Sequence, residues 1–185
     1  MNDKKHHLVL GELKDYLTGQ TLEDSHDERF RQKLARFLAE EKGFTKADII
    51  PRRPVIVTAG QKKAVLKVDL SVVLSGKTAM IIKYGPGSLV TRRRPALGFS
   101  RILESYQIPE VVVTNGEDAE ILSGETGRTV GEGLQAIPSK TKLSAKLEYY
   151  SFAPVSAGRR DLEARIVYAY EVDGSCACDE NVCRL

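Results

Sequence analysis

Between Ala64 and Tyr84 the chain reads AVLKVDLSVVL, then Ser75-Gly76-Lys77, then TAMIIKY, and halts at Gly85-Pro86-Gly87. Two β-branched, apolar runs joined by a short polar turn predict an antiparallel hairpin. The continuous apolar run TAMIIKY predicts a central strand, covered on both faces. The fold is therefore built on a sheet, and this hairpin lies near its middle. Lys83 ends the apolar run. An amine at the mouth of a buried strand is expensive to desolvate, so it either snorkels to water or belongs to a site.

The flanks decide what kind of sheet this is. Upstream, residues 8–22 are weakly patterned, and SHDERFRQKLARFLAEEKG is the best helix in the chain. Ser25 followed by Glu28 fits a capping box, Phe30, Leu34, Phe37 and Leu38 recur at helical spacing, and Gly43 is placed to end the helix. PVIVTA (54–59) adds a strand. Downstream of the basic triplet Arg92-Arg93-Arg94, PALGFSRILESYQ has helical spacing. PEVVVTNG is a strand closed by Asn-Gly, AEILSGETGRTV a hairpin around Ser123-Gly124, and RRDLEARIVYAYE a helix whose alternation also permits a strand. This order predicts an α/β (α+β) fold with a mixed central sheet flanked by helices. The expected organisation is one domain over 8–137, followed by a helical extension and cysteine-containing tail over 138–185.

With 185 residues, 42% of them hydrophobic and 29% charged, the chain has the composition of a soluble globular domain. A net charge of +3 is too small to argue for nucleic-acid binding unaided. No run has the length of a membrane span and no signal-peptide pattern follows Met1, so the expected compartment is the cytoplasm. The three cysteines all lie in the last ten residues and make no disulfide framework.

Phosphodiester hydrolysis assisted by Mg²⁺ needs carboxylates on the metal and a cation near the attacking water. A strand bearing Asp, then a strand bearing an acid and a lysine two residues apart, is one way to build that, because alternation sends the last two to one face. Asp69 and Lys83 lie fourteen positions apart on the two arms of the hairpin, close enough to sit side by side. The position two before Lys83 is Ile81, where the second acid is needed.

Three stretches in order carry a resemblance. They are DYLTGQTLEDSHDERFRQKLARFLAEEKGF, KKAVLKVDLSVVLSGKTAMIIKYGPG and VVVTNGEDAEILSGETG. The chain resembles the amino-terminal domain of the R subunit of type I restriction enzymes, a member of the PD-(D/E)XK nuclease superfamily, from about Asp15 to Val130. The first stretch is similar to that family's TG…EERVRQ helix, the second to its RADIVVY…ECKAPG hairpin and the third to its VVLTNG strand. The resemblance implies a restriction-endonuclease-like fold and a Mg²⁺-dependent endodeoxyribonuclease activity. It implies metal and catalytic roles for Glu28 and Asp69 and a catalytic role for Lys83. It also places Ile81 at the essential acid and puts Pro95 and Phe99 where a Gln-x-x-x-Tyr helix supports DNA binding. Two carboxylates bind Mg²⁺ weakly, so the expectation is a standalone domain that contacts DNA and carries a degenerate metal site, with Ile81 in place of the second acid. The alternative is an active nuclease with a migrated acid, for which Glu117, Asp118 and Glu120 are candidates.

Other readings of the same residues stay open. Glu28 can be no more than the second half of the Ser25 capping box, and Asp69 with Lys83 can form a structural ion pair. Arg92, Arg93, Arg94 and Arg101, extended by Lys62 and Lys63, can form a basic strip for phosphates or a solvated loop surface. Cys176, Cys178 and Cys183 have the soft ligands of a zinc site, with His6 or His7 as fourth ligand, or belong to a frayed tail. A zinc-binding adaptor is thus a third functional class. No G-x-x-x-x-G-K-[ST] loop is present, so ATP is not an expected partner. DNA and a restriction-system or other protein are.

Overall fold

The computed structural model describes residues 9–173 and, for the backbone alone, residues 182–184. Strands β1 (Glu12–Lys14) and β2 (Thr21–Glu23) pair as a small antiparallel ribbon, where the sequence suggested only a weakly patterned lead. Helix α1 (His26–Glu40) follows. The main sheet contains β3 (Ile49–Ala59), β4 (Lys62–Leu74), β5 (Lys77–Tyr84), β6 (Glu110–Thr114), β7 (Ala119–Ser123) and β8 (Thr129–Glu132), in that spatial order. A short β9 (Val182–Arg184) pairs with β4 past the end of β5. Every pairing is antiparallel except β5 with β6. Parallel neighbours need a crossover, and α2 (Val90–Ile102) supplies it. With α3 (Lys140–Glu148) and α4 (Ala157–Tyr168), four helices flank a mixed sheet. None of the described helices is long and apolar enough to cross a membrane.

The sheet separates two cores. Phe99 and Ile102 of α2 and Val167 and Tyr168 of α4 pack with Leu66, Ile81, Val111 and Val113 on one face. Leu34 and Leu38 of α1 and Leu143 of α3 pack with Leu70, Met80, Ile82 and Val112 on the other. TAMIIKY thus reads apolar throughout because Ile81 feeds one core while Met80 and Ile82 feed the other. Helices α2 and α4 touch at Gly98, where a Cβ would come within 2.5 Å of a Val167 methyl. Gly98→Ala is therefore expected to cost about 1–3 kcal/mol as the helices are pushed apart, read as a lower urea midpoint with an unchanged slope.

Strict alternation fails at one place, and it is the place that matters. Ala64, Leu66 and Val68 of β4 enter the α2–α4 core, whereas Leu70, Val72 and Leu74 enter the α1–α3 core. Even-numbered residues of a regular strand stay on one face, so β4 turns over between Val68 and Leu70. Strand β3 turns with it, since Ile49 and Val55 also feed opposite cores. The register sets Arg52 opposite Asp69, and Arg52 has φ +49°, a strained value for a non-glycine residue. Asp69 sits at the reversal.

Two further differences from the sequence reading bear on the site. Helix α2 starts at Val90, not Pro95, which brings the arginine triplet into its first turns, and it ends at Ile102. The segment RRDLEARIVYAYE is helical through Tyr168 and continues as a π-turn over Ala169–Asp173.

Candidate functional site

Helix α1 begins where Ser25 Oγ accepts the Glu28 N–H at 3.2 Å. The Glu28 carboxylate does not complete a capping box. It is buried and points into the protein, taking hydrogen bonds from Gln32 Nε2 (2.7 Å), Arg52 Nη1 (3.0 Å) and Arg31 Nη1 (3.3 Å). Arg31 then reaches the β4 reversal, donating from Nε to Asp69 Oδ1 at 2.7 Å. The other Asp69 oxygen accepts the Tyr84 N–H at 3.0 Å and lies 3.3 Å from Lys83 Nζ. Lys83 donates to the Lys67 carbonyl (3.0 Å), lies 3.7 Å from Glu171 Oε2 in the π-turn, and stands 4.8 Å from the Phe99 ring centre. At the far end Arg52 pairs with buried Asp15.

The result is a single file of seven charges of alternating sign: Asp15, Arg52, Glu28, Arg31, Asp69, Lys83 and Glu171. Burial alone pushes the Asp69 carboxyl up, but Lys83, Arg31 and the Tyr84 N–H together hold it below its ordinary value. Asp15 behaves alike, with burial opposed by the Leu17 N–H and by Arg52.

Glu28, Asp69 and Lys83 lie along this one file, yet the donor set does not fit Mg²⁺. That ion asks for near-octahedral oxygen ligands. Here the two acids have an arginine between them, and both Asp69 oxygens are engaged. Ile81 contributes no oxygen. It is 0% exposed in the α2–α4 core. Its cross-strand partner Ser71 is also 0% exposed, and the Ser71 hydroxyl has no hydrogen-bond partner among the described residues. An orphaned hydroxyl costs about 1–3 kcal/mol, and cross-strand partners share a face, so this one lies beside Ile81. Two of the candidates for a migrated acid, Glu120 and Asp118, are engaged elsewhere. Glu120 lies in the same cross-strand row as Lys83, two strands away, and holds Arg93, while Asp118 folds back on its own turn.

The basic strip expected from Arg92, Arg93, Arg94 and Arg101 is largely neutralised inside the protein. Arg93 pairs with Glu120. Arg94 (2.5 Å) and Arg101 (2.8 Å) both reach Glu163, which Arg159 also contacts at 2.7 Å. Arg92 alone of the four has no carboxylate partner among the described residues. Its guanidinium lies against Gly85, and its Nε is buried without an acceptor. Lys62 makes a loose exposed pair with Asp173, at 3.8 Å.

Arg31 was legible in principle, standing one turn after Glu28 on the same helix face. Arg52, Glu163 and Glu171 carry no local signal. The candidate zinc ligands Cys176 and Cys178, with His6 and His7, lie outside the described residues, and Cys183 is described only in its backbone. Among the described residues no group of three or more His, Cys, Asp or Glu side chains is placed to hold a metal.

No curated protein and no solved structure matches the chain. A family model does, over residues 26–138, from the first residue of α1 to just past β8 and the turn that follows it, taking in Glu28, Asp69, Lys83 and Arg92. The chain belongs to the family of the type I restriction enzyme R protein N terminus.

Proposed function

We propose that this domain is a nuclease fold of the restriction R-protein type that contacts DNA without cutting it. The observation that carries the reading is the commitment of Asp69 to Arg31, Lys83 and the Tyr84 N–H while Ile81 stands buried where a second acid is needed. Hydrolysis requires an activated water and a clamp on the phosphate. A guanidinium and an ammonium neutralise the carboxylates that would organise them. Positive charge remains for binding. Lys33, Lys63, Lys67 and Arg92 have no carboxylate partner among the described residues, and the chain carries a net +3.

The test is nicking of supercoiled plasmid in Mg²⁺ or Mn²⁺, with duplex binding measured across a salt series. Wild type is expected to bind, to weaken as salt rises, and to leave the plasmid intact. In Ile81→Glu, which sets a carboxylate beside the Ser71 hydroxyl, metal-dependent nicking is expected to appear. Nicking by wild type that Asp69→Ala and Lys83→Ala both abolish overturns the reading. One observation favours a second reading, an active site with a migrated acid. Glu171 is the carboxylate nearest Lys83 after Asp69 among the described residues, and wild-type nicking lost in Glu171→Gln selects it.

A further inference from the structure

A pocket of about 210 Å³ opens where α1 meets the carboxyl ends of the parallel strands β5 and β6. Its lining is aromatic. Phe30 and Phe37 come from α1 and Tyr84 from the end of β5, with Leu134 beyond. The Phe30 and Tyr84 rings already stack, with centres 5.5 Å apart and planes at 23°. Gly116, at φ +92°, lies so close to the Phe30 ring that a Cβ there would collide with it, so the β6–β7 turn fixes one wall of the pocket. Tyr84 is fixed too, its hydroxyl 3.2 Å from Asp27 Oδ1.

The chemistry of the lining narrows the occupant. An apolar cavity of about 150 Å³ holds a benzene ring, so this one has room for a single six-membered heterocycle. The Thr114 hydroxyl at its edge is already used, donating to the Asp118 carbonyl and accepting the Gly116 N–H. Apart from Lys33, no free polar side chain among the described residues of the lining reads the ring's edge, and recognition rests on stacking. Charge supplies the rest. Exposed Lys33, the one charged residue of the lining, holds its ammonium 5.4 Å from the Phe30 ring centre. Arg92 lies on the other side of the same strand end, against Gly85, whose N–H is bonded to the Thr114 carbonyl. Stacking rings between unneutralised cations are what a flexible polyanion with flat bases requires.

We infer that this pocket takes one unstacked pyrimidine base of single-stranded DNA, with the adjoining phosphates passing Lys33 and Arg92. The inference rests on the DNA-contact reading and adds to it a strand type and a contact surface.

The test compares a fluorescent oligothymidylate with an abasic oligomer of equal length and charge, by anisotropy at low salt with the full chain. Stacking of one base predicts that oligothymidylate binds about tenfold tighter. Leu134→Trp, which fills the pocket, is expected to remove that difference, and Lys33→Glu to weaken both oligomers. If Leu134→Trp melts early, Phe37→Ala, at a half-buried position, removes an aromatic wall and tests the same loss. Equal, salt-sensitive binding of the two oligomers by wild type overturns the pocket and leaves DNA contact standing. Binding of neither overturns both. A tenfold preference that survives Leu134→Trp and Phe37→Ala places the base elsewhere and overturns the pocket.

Discussion

Glu163→Gln is expected to lower stability by about 3 kcal/mol and the melting midpoint by roughly 10 °C. The Glu163 carboxylate is 0% exposed and receives three guanidinium groups, from Arg94, Arg101 and Arg159. They do not contribute equally. Arg94 and Arg159 are 34% and 48% exposed and turn to water when the charge is removed. Arg101 is only 11% exposed, and with Glu163 gone it keeps neutral acceptors alone, Gln107 Oε1 at 3.2 Å and the Gly124 carbonyl at 3.4 Å. A buried cation without its counter-charge is the dominant cost. The effect depends on pH with a definite sign. Burial pushes the Glu163 carboxyl up, but Arg94 and Arg101 bring it below its ordinary value. A depressed carboxyl contributes stability that is complete above the unfolded value, about 4.3, and is lost as pH falls through the folded one. The gap in melting temperature between wild type and Glu163→Gln should therefore hold from pH 7 to about 5 and close below about 4. Calorimetry of both proteins across that range checks it, and a gap independent of pH would show that the charge is not what matters.

The contrast between α1 and α2 shows what a sequence carries and what it does not. Helix α1 is legible because its cap and its apolar face are local facts, and Ser25, Leu34 and Leu38 do in the structure what their spacing predicts. The β4–β5 hairpin is legible for the same reason, with Ser75 and Gly76 at positive φ in the turn between the strands. Local rules place proline at a helix start, which sets the arginines before Pro95 in a loop. Arg93 and Arg94 instead extend α2, and their side chains find Glu120 and Glu163, 27 and 69 positions away. No periodicity reports an ion pair of that span. A basic triplet consequently reads as a phosphate strip until its distant acids are seen. The candidate site divides along the same line. Asp69 and Lys83 share a hairpin, and their adjacency follows from register. Arg52 and Glu171 join them only because β3 turns over opposite Asp69 and because the chain comes back past α4 to the end of β5.

Asp69→Ala distinguishes a site waiting for a cation from one already neutralised, and stability measured in EDTA is enough to tell them apart. Carboxylates gathered for a metal repel one another when it is absent, so removing one stabilises the apo-protein, as expected where stability has been traded for activity. In the alternating file of charges the sign is opposite. Arg31 and Lys83 are each 11% exposed, and both lose the acid between them. Glu28 still reaches Arg31 at 3.3 Å and Glu171 still reaches Lys83 at 3.7 Å, so each cation retains one longer contact. A loss of about 3 kcal/mol is expected, at the lower end for a broken buried pair because of those remaining acids. Lys83→Met in the Asp69→Ala background should then cost less than in wild type, the two changes coupling by about 0.5–3 kcal/mol because they touch one carboxylate. An Asp69→Ala protein that melts above wild type in EDTA would mean that the acids are held in repulsion and that the metal site is intact. One that melts below it, with positive coupling to Lys83, would mean that the protein's own cations hold the acids where a nuclease holds its metal.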